Sequence, residues 1–300
     1  MLRTIRLTAA IVCFALITLL FLDFTGTLHT WFGWLAKIQF LPAVLALNIG
    51  VVLLLIVLTL LFGRIYCSVI CPLGVFQDAV SWISGKRKKN RFRYSPALRW
   101  LRYGVLTVFV IALVAGWNTF VILLAPYSAY GRMASSLLAP FWQWGNNLMA
   151  YFAERAESYA FYEVDMWMKS LSTLIIAIIT LVVLFILAWR NGRTYCNTIC
   201  PVGTILGFIS RYSIFKPVID TSKCNGCGLC ARNCKASCIN TKAHEIDYSR
   251  CVACMDCLGK CKQGAIRYTR RIPKKESATT ETVQVKSVTA EQVNNARRSF

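Results

Sequence analysis

The stretch GRIYCSVICPLG, residues 63–74, sets two cysteines four positions apart, with a proline directly behind the second, where a long apolar run ends. It recurs as GRTYCNTICPVG at residues 192–203, with eight of the twelve positions identical, again closing an apolar run. A C-x-x-x-C-P element repeated at the mouths of two hydrophobic segments predicts a duplicated membrane unit. Its sulfur-bearing positions are Cys67, Cys71, Cys196 and Cys200.

Outward from the two elements, the chain of 300 residues is 56% hydrophobic, too apolar for one soluble domain of ordinary composition. Four uncharged runs stand out, at residues 7–22, 38–63, 103–131 and 170–189. A helix needs about 20 apolar residues to cross the hydrocarbon core, so the last three suffice and the first, at 16, needs its flanks. The expectation is an α-helical membrane protein of about four transmembrane helices, spanning residues 1–216 as a duplicated two-helix unit. A basic start, Arg3 and Arg6, before a short apolar run also fits a secretory signal, but no small-x-small cleavage site follows, which favours an uncleaved anchor.

The formal charge of +21 orients this unit. Lys86, Arg87, Lys88, Lys89, Arg91, Arg93, Arg99 and Arg102 crowd the connection between the second and third runs with no acid among them, and such a loop stays in the cytoplasm. Arg190, Arg193, Arg211 and Lys216 after the fourth run agree. Both C-x-x-x-C-P elements, the termini and everything after residue 190 are therefore expected inside. Topology and anionic lipid account for the basic loop, so no nucleic-acid partner is expected.

Fourteen cysteines on such a chain argue for metal ligation rather than disulfides. CNGCGLCARNC places Cys224, Cys227, Cys230 and Cys234 in the spacing C-x-x-C-x-x-C-x-x-x-C, and CVACMDCLGKC repeats it at Cys251, Cys254, Cys257 and Cys261. In that spacing three thiolates hold one cubane and the fourth crosses to its neighbour. Cys224, Cys227, Cys230 and Cys261 are thus assigned to one 4Fe-4S cluster, and Cys251, Cys254, Cys257 and Cys234 to a second. A shift of 27 residues superimposes the two halves, matching Asp220 with Asp247 and Ile239 with Ile266; Cys238 then falls opposite Ala265 and reads as a small buried filler. Residues 217–271 are therefore expected to form an α+β two-cluster ferredoxin-like domain. Lys235 and Lys262 follow the fourth cysteines, where they are expected to favour the reduced clusters and attract an acidic partner. Residues 272–300 read as a disordered polar tail.

Pro72 and Pro201 suit the first position of a helix, which leaves Cys71 and Cys200 at helix starts, where the dipole favours a thiolate. A pseudo-twofold axis along the membrane normal would gather Cys67, Cys71, Cys196 and Cys200 into one site. A third iron–sulfur centre, another soft metal and redox thiols all remain open there; two small apolar residues tucked under a helix start are the structural alternative. With only His29 and His244 in the chain, no histidine pair on facing spans is available for a b-type haem. No glycine-rich nucleotide fingerprint, P-loop or Cys-x-x-Cys-His is present. The aromatics of residues 132–169 fit an interfacial belt, or more sharply a lid over a quinone pocket with Asp23, Tyr127 and Arg132 nearby.

Four runs, YCSVICPLG, YCNTICPVG and the two cluster runs together resemble the NapH-type membrane ferredoxins, and are similar to the membrane half of NosR proteins and to the assembly protein CcoG. The resemblance covers about residues 1–270. It implies a multi-pass protein of the bacterial cytoplasmic (inner) membrane that takes electrons from the quinone pool, with quinol as substrate, and supplies an extracytoplasmic reductase. No flavin-binding outer domain is evident, so a flavin or haem would belong to the redox partner. Copper-centre biogenesis of the CcoG type and redox sensing are the other roles this resemblance and the cysteines allow.

Overall fold

The computed structural model describes residues 2–23, 25–85, 92–155, 162–164 and 170–270. The expected tail, the densest part of the basic loop and the aromatics Tyr159, Phe161 and Trp167 lie outside these residues.

The first and fourth apolar runs are unbroken helices, α1 (Leu2–Leu22) and, further on, the helix Leu171–Asn191. The two runs between them are not single helices. After the short helices α2 (Thr27–Phe32) and α3 (Trp34–Lys37), the second run divides into α4 (Phe40–Leu45) and α5 (Ile49–Phe62). The chain turns at Leu47, whose φ is +52°, and Asn48 caps α5 by accepting a hydrogen bond from the Val51 N–H at 3.3 Å. The first motif contributes α6 (Tyr66–Val69) and α7 (Pro72–Gly85). The third run divides at Gly116, φ +74°, into α8 (Arg99–Val114) and α9 (Asn118–Leu124), and Pro126 then opens α10 (Pro126–Met133). A π-helical turn over Ala134–Leu138 leads into α11 (Ala139–Arg155).

The unbroken fourth run is α12 (Leu171–Asn191), and the second motif adds α13 (Thr194–Thr198) and α14 (Pro201–Ile209). Among the described residues, α1 and α12 are the two helices long and apolar enough to cross a membrane, and α5 is a shorter apolar helix. Ile175, Ile178, Ile179, Val182, Val183, Phe185 and Ile186 of α12 are exposed, an apolar surface suited to lipid contact. The halves interlock. Helix α7, which follows the first motif, packs on α12, which precedes the second; α14, which follows the second motif, packs on α5, which precedes the first. Their outer flanks correspond too, with α1 against α7 and α8 against α14.

The C-terminal unit is small and doubled. Strand β1 (Phe215–Ile219) pairs antiparallel with the last strand, Ile266–Arg270, with Ile219 opposite Ile266. Between them lie α15 (Leu229–Arg232), the hairpin of β2 (Ile239–Asn240) and β3 (Glu245–Ile246), and α16 (Asp256–Lys260); the last strand is β4. Helices α15 and α16 begin 27 residues apart, the period of the cysteine runs. Buried Ile239, Ile246 and Ile266 form its apolar centre among the cysteines.

Candidate functional site

Each motif begins with a glycine in a conformation that ordinary residues avoid: Gly63 ends α5 at φ +72° and Gly192 ends α12 at φ +71°. The chain then folds back, burying Tyr66 and Tyr195. Tyr66 donates to the Gln39 side-chain oxygen at 2.9 Å, and Tyr195 donates to the Leu124 carbonyl at 3.0 Å, so each tyrosine ties its motif to a segment of its own half. Gly74 and Gly203 let the following helices press on the turns: a Cβ at either would lie 2.2 Å from the carbonyl oxygen of Cys67 or Cys196. Gly203→Ala is expected to lower stability by about 3 kcal/mol through overpacking, read by thermal unfolding of the intact protein.

Cys67, Cys71, Cys196 and Cys200 are all buried in one core shared by the two halves. Gln77 of α7 crosses from the first half to place its amide nitrogen 3.4 Å from the Cys196 sulfur. The Gly203 N–H points at the Cys200 sulfur at 3.4 Å, the helix-start contact expected for that position. Its effect on acidity is outweighed. Burial pushes the Cys67 thiol up to about 11 and also raises Cys71, Cys196 and Cys200, against the opposing pull of Arg193 on three of them and of Arg64 on Cys67 and Cys196. The expectation of activated free thiolates is therefore corrected, because desolvation dominates the helix-start dipole.

The arginine of each Gly-Arg pair is completely buried and reaches into the opposite half. Arg193 donates to the Cys67 carbonyl and pairs with Asp78 of α7 at 2.7 Å. Arg64 donates to the Gly203 carbonyl at 2.8 Å and to the Asn197 side chain, then continues to the carbonyls of Arg250 and, at 3.3 Å, Cys251. One guanidinium thus touches both the second motif and the second ferredoxin run. The sequence marks Arg193 as an orienting surface charge and gives Arg64 no role, whereas both are buried site residues; the repeated Gly-Arg was the available signal.

The ferredoxin cysteines separate into two cavities. One is lined by Cys224, Cys227, Cys230 and Cys261, with Asn225, Gly226 and Gly228 at its edge. The other is lined by Cys234, Cys251, Cys254 and Cys257, with Val252, Met255 and Tyr268. Cys227 is exposed, whereas Cys234, Cys254 and Cys257 are buried. Among the described residues no three His, Cys, Asp or Glu side chains converge on a point where one metal ion would sit. Four cysteines around the first cavity and five around the second, Cys238 among them, are instead donor sets rich enough for a polynuclear iron–sulfur cluster. Cys238 is buried but not remote. Its sulfur lines the second cavity, 3.5 Å from that of Cys234, and hydrogen bonding from it favours the Cys234 thiolate.

Lys235 departs from its expected role. Its ammonium is buried between Asp256, at 3.0 Å, and Asp78, at 3.6 Å, so it joins the ferredoxin unit to α7 and is not offered to an acidic partner. Lys262 is exposed. Around Asp78 burial raises the carboxyl, but Arg193, Lys235 and Arg6 prevail and hold it well below the usual carboxylate range. The Arg102 guanidinium fixes Ser249, Ser210 donates to the Tyr248 carbonyl at 2.7 Å, and Tyr268 donates to the Phe62 carbonyl at 2.9 Å. The unit is thus seated directly on the motif-bearing face. Of the polar groups named beside the aromatic segment, Asp23 caps the turn that leads to His29, the Tyr127 ring lies 5.1 Å from that of Phe21, and Arg132 donates to the carbonyls of Ile122 and Leu123.

These features define a protein with 4Fe-4S binding domains. One family, described as a 4Fe-4S binding domain, matches twice, over residues 44–90 and 172–220, and a second of the same description matches residues 217–240. The only cysteines within the first pair of matches are Cys67, Cys71, Cys196 and Cys200. The chain is similar to the ferredoxin-type protein NapH of Haemophilus influenzae, 26% identical over 65% of this chain and 55% of the relative, and to NapH of Escherichia coli, 25% over 65% and 55%. It is similar also to the methylamine utilization ferredoxin-type protein MauN of Methylobacillus flagellatus, 26% over 57% and 48%. The matched stretch spans about half the length of these curated relatives. No solved structure matches. The resemblance to NapH-type 4Fe-4S ferredoxins is borne out.

Proposed function

We propose that the chain is a membrane-bound iron–sulfur electron-transfer component that links the quinone pool to a partner reductase. In this reading Cys224, Cys227, Cys230 and Cys261 hold one 4Fe-4S cluster, Cys234, Cys251, Cys254 and Cys257 hold a second, and Cys67, Cys71, Cys196 and Cys200 form a redox centre between these and the membrane. When bound, the clusters supply one-electron redox capacity. The chain's own residues exclude water from the thiols, supply buried positive charge beside them and fix their separation. The observation that carries the reading is Arg64, whose guanidinium bridges the second motif and the Cys251 carbonyl. A quinol titration of the purified holoprotein in lipid nanodiscs tests it. Bleaching of the iron–sulfur absorbance is expected, and a spectrum unmoved by quinol would exclude the quinone-linked role.

The cluster assignment makes its own prediction. Cys261→Ala is expected to lower the iron bound near Cys224, Cys227 and Cys230, while Cys238→Ala keeps about eight iron atoms on the ferredoxin portion. Iron analysis with Mössbauer spectra reads both, and loss of a cluster from Cys238→Ala alone would overturn the assignment.

The topology we favour has four passes, two of them discontinuous at Leu47–Asn48 and Gly116, with both motifs, the ferredoxin unit and the termini in the cytoplasm. Broken helices are tolerated in a membrane where neighbouring protein satisfies the freed backbone groups. Reporter fusions after Gly85 and after Arg270 should read inside and one after Ala150 outside. An outside signal at Arg270 would reverse the electron path.

A further inference from the structure

A cavity lined by several basic and hydroxyl-bearing residues lies between the two units and is used by none of the chemistry above. About 550 Å³ in volume, it falls within the range of small-ligand sites. Three parts of the chain wall it: residues 92–98 on the approach to α8, the second motif from Asn191 to Thr198, and the ferredoxin residues Lys235, Ala236, Ser237 and Arg250.

Its charge is one-sided. Arg93, Arg193, Lys235 and Arg250 line it, and among the described residues no aspartate or glutamate does. Arg193 and Lys235 are held by Asp78 and Asp256 on their far sides. Arg250 donates through Nε to Asp247 at 2.8 Å and its guanidinium lies 5.9 Å from the centre of the Tyr94 ring; its Nη2 is buried with no hydrogen-bond partner among the described residues. A buried guanidinium N–H left unpaired is costly, and an anion accepting from it would remove that cost. Hydroxyls of Ser95, Thr194 and Ser237 and the amide of Asn191 add further donors to the lining, whereas the Thr198 hydroxyl and the Asn197 amide donate to the carbonyls of Thr194 and Ala236. Arginines with hydroxyl and amide donors are the chemistry that recognises phosphate oxygens.

We propose that this cavity binds the phosphate group of an anionic ligand, with Arg250 and Arg93 as its principal contacts. Two sources offer that group. The segment 92–98 leads directly into α8, which brings the cavity close to headgroup depth in the topology above, where basic pockets between helices take anionic phospholipid headgroups. A soluble phosphate presents the same oxygens. Because Arg193 and Asn197 belong to the same wall, an occupant would sit beside the second motif and brace the seat of the ferredoxin unit. The inference does not depend on the electron-transfer reading, since it concerns a ligand that carries no electrons.

The test uses the full-length purified holoprotein, with iron content checked in every sample so that loss of clusters is recognised separately. Thermal unfolding is followed after delipidation, then with inorganic phosphate against chloride of equal ionic strength, and in nanodiscs of phosphatidylglycerol against phosphatidylcholine. The wild-type protein is expected to be stabilised by phosphatidylglycerol, by inorganic phosphate, or by both. Response to the lipid alone identifies a headgroup site; response to inorganic phosphate in the delipidated protein identifies a site open to soluble phosphate. Arg250→Gln is expected to weaken the apparent affinity at least tenfold. Arg93→Gln, at an exposed position where folding is not at stake, should weaken it severalfold. If neither anion stabilises beyond its control, or if Arg93→Gln responds as the wild type does, the cavity is not a phosphate site.

Discussion

Replacing Cys71 or Cys200 with serine is expected to abolish electron exchange between quinol and the ferredoxin clusters, while about eight iron atoms, two cubanes of four, stay bound to residues 217–271. The expectation rests on where these thiols lie. They share one buried core at the face on which the ferredoxin unit is seated, and Arg64 extends from that core to the Cys251 carbonyl. The hydrocarbon core is about 30 Å thick, so an acceptor on the far side requires an intermediate centre, and no histidine pair for a haem is at hand. Serine keeps the size of the side chain and removes the soft ligand. Stopped-flow absorbance with a quinol in nanodiscs measures the exchange, and iron analysis on the same samples measures loading. Normal rates in either variant would make the four cysteines structural. Iron above eight atoms in the wild type but not in the serine variants would assign a further iron–sulfur centre to the tetrad, and stoichiometric copper would favour the biogenesis role.

Asp78→Leu is expected to cost about 3–5 kcal/mol, because it leaves Arg6 and Arg193 buried beside a side chain that cannot pair with them. The ferredoxin unit should loosen with it, since Lys235 loses one of its two acids. Thermal unfolding and limited proteolysis before β1 read the two consequences. A melting point within a degree of the wild type would mean that solvent reaches this network. The pH dependence has a definite sign. Asp78 has a folded pKa depressed below the unfolded value of about 3.9, so its stabilisation is complete above that value and is lost only as the pH falls toward the folded one. Between pH 5 and 8 the seating of the ferredoxin unit should therefore not change on this account.

Some of this architecture was legible because it depends on local chemistry. The duplicated Gly-Arg, Cys-Pro and terminal glycine fix turns whose geometry needs those residues in place, and the cysteine spacing repeats at the 27-residue period of α15 and α16. Hydropathy averaged over the second and third runs hid their breaks, because Asn48 and the Gly116–Asn118 stretch are short interruptions of long apolar segments; the cap residue Asn48 was the local signal. Long-range pairing was equally hidden. The partners of Arg64 lie 133 to 187 residues away, and Lys235 looks like a free surface charge until Asp78 is brought against it. The acidity of the motif cysteines was misjudged for a related reason: a helix start is visible in sequence, whereas the burial that overrides it belongs to the assembled halves.

The exchange of arginines between the halves has a consequence for synthesis. Arg193 closes on the Cys67 carbonyl across 126 residues of chain, and Arg64 on Gly203 across 139. A ribosome that has finished the first motif has made a turn that cannot yet close, with a buried cation still waiting for its carbonyls. Only when α12 and the second motif have been made can both turns lock, and the last acceptors of Arg64 arrive with Arg250 and Cys251. A chain cut after residue 213 would thus keep the Gly203 and Asn197 acceptors of Arg64 but lack those at Arg250 and Cys251, so the shared core closes fully only once nearly the whole protein has been made.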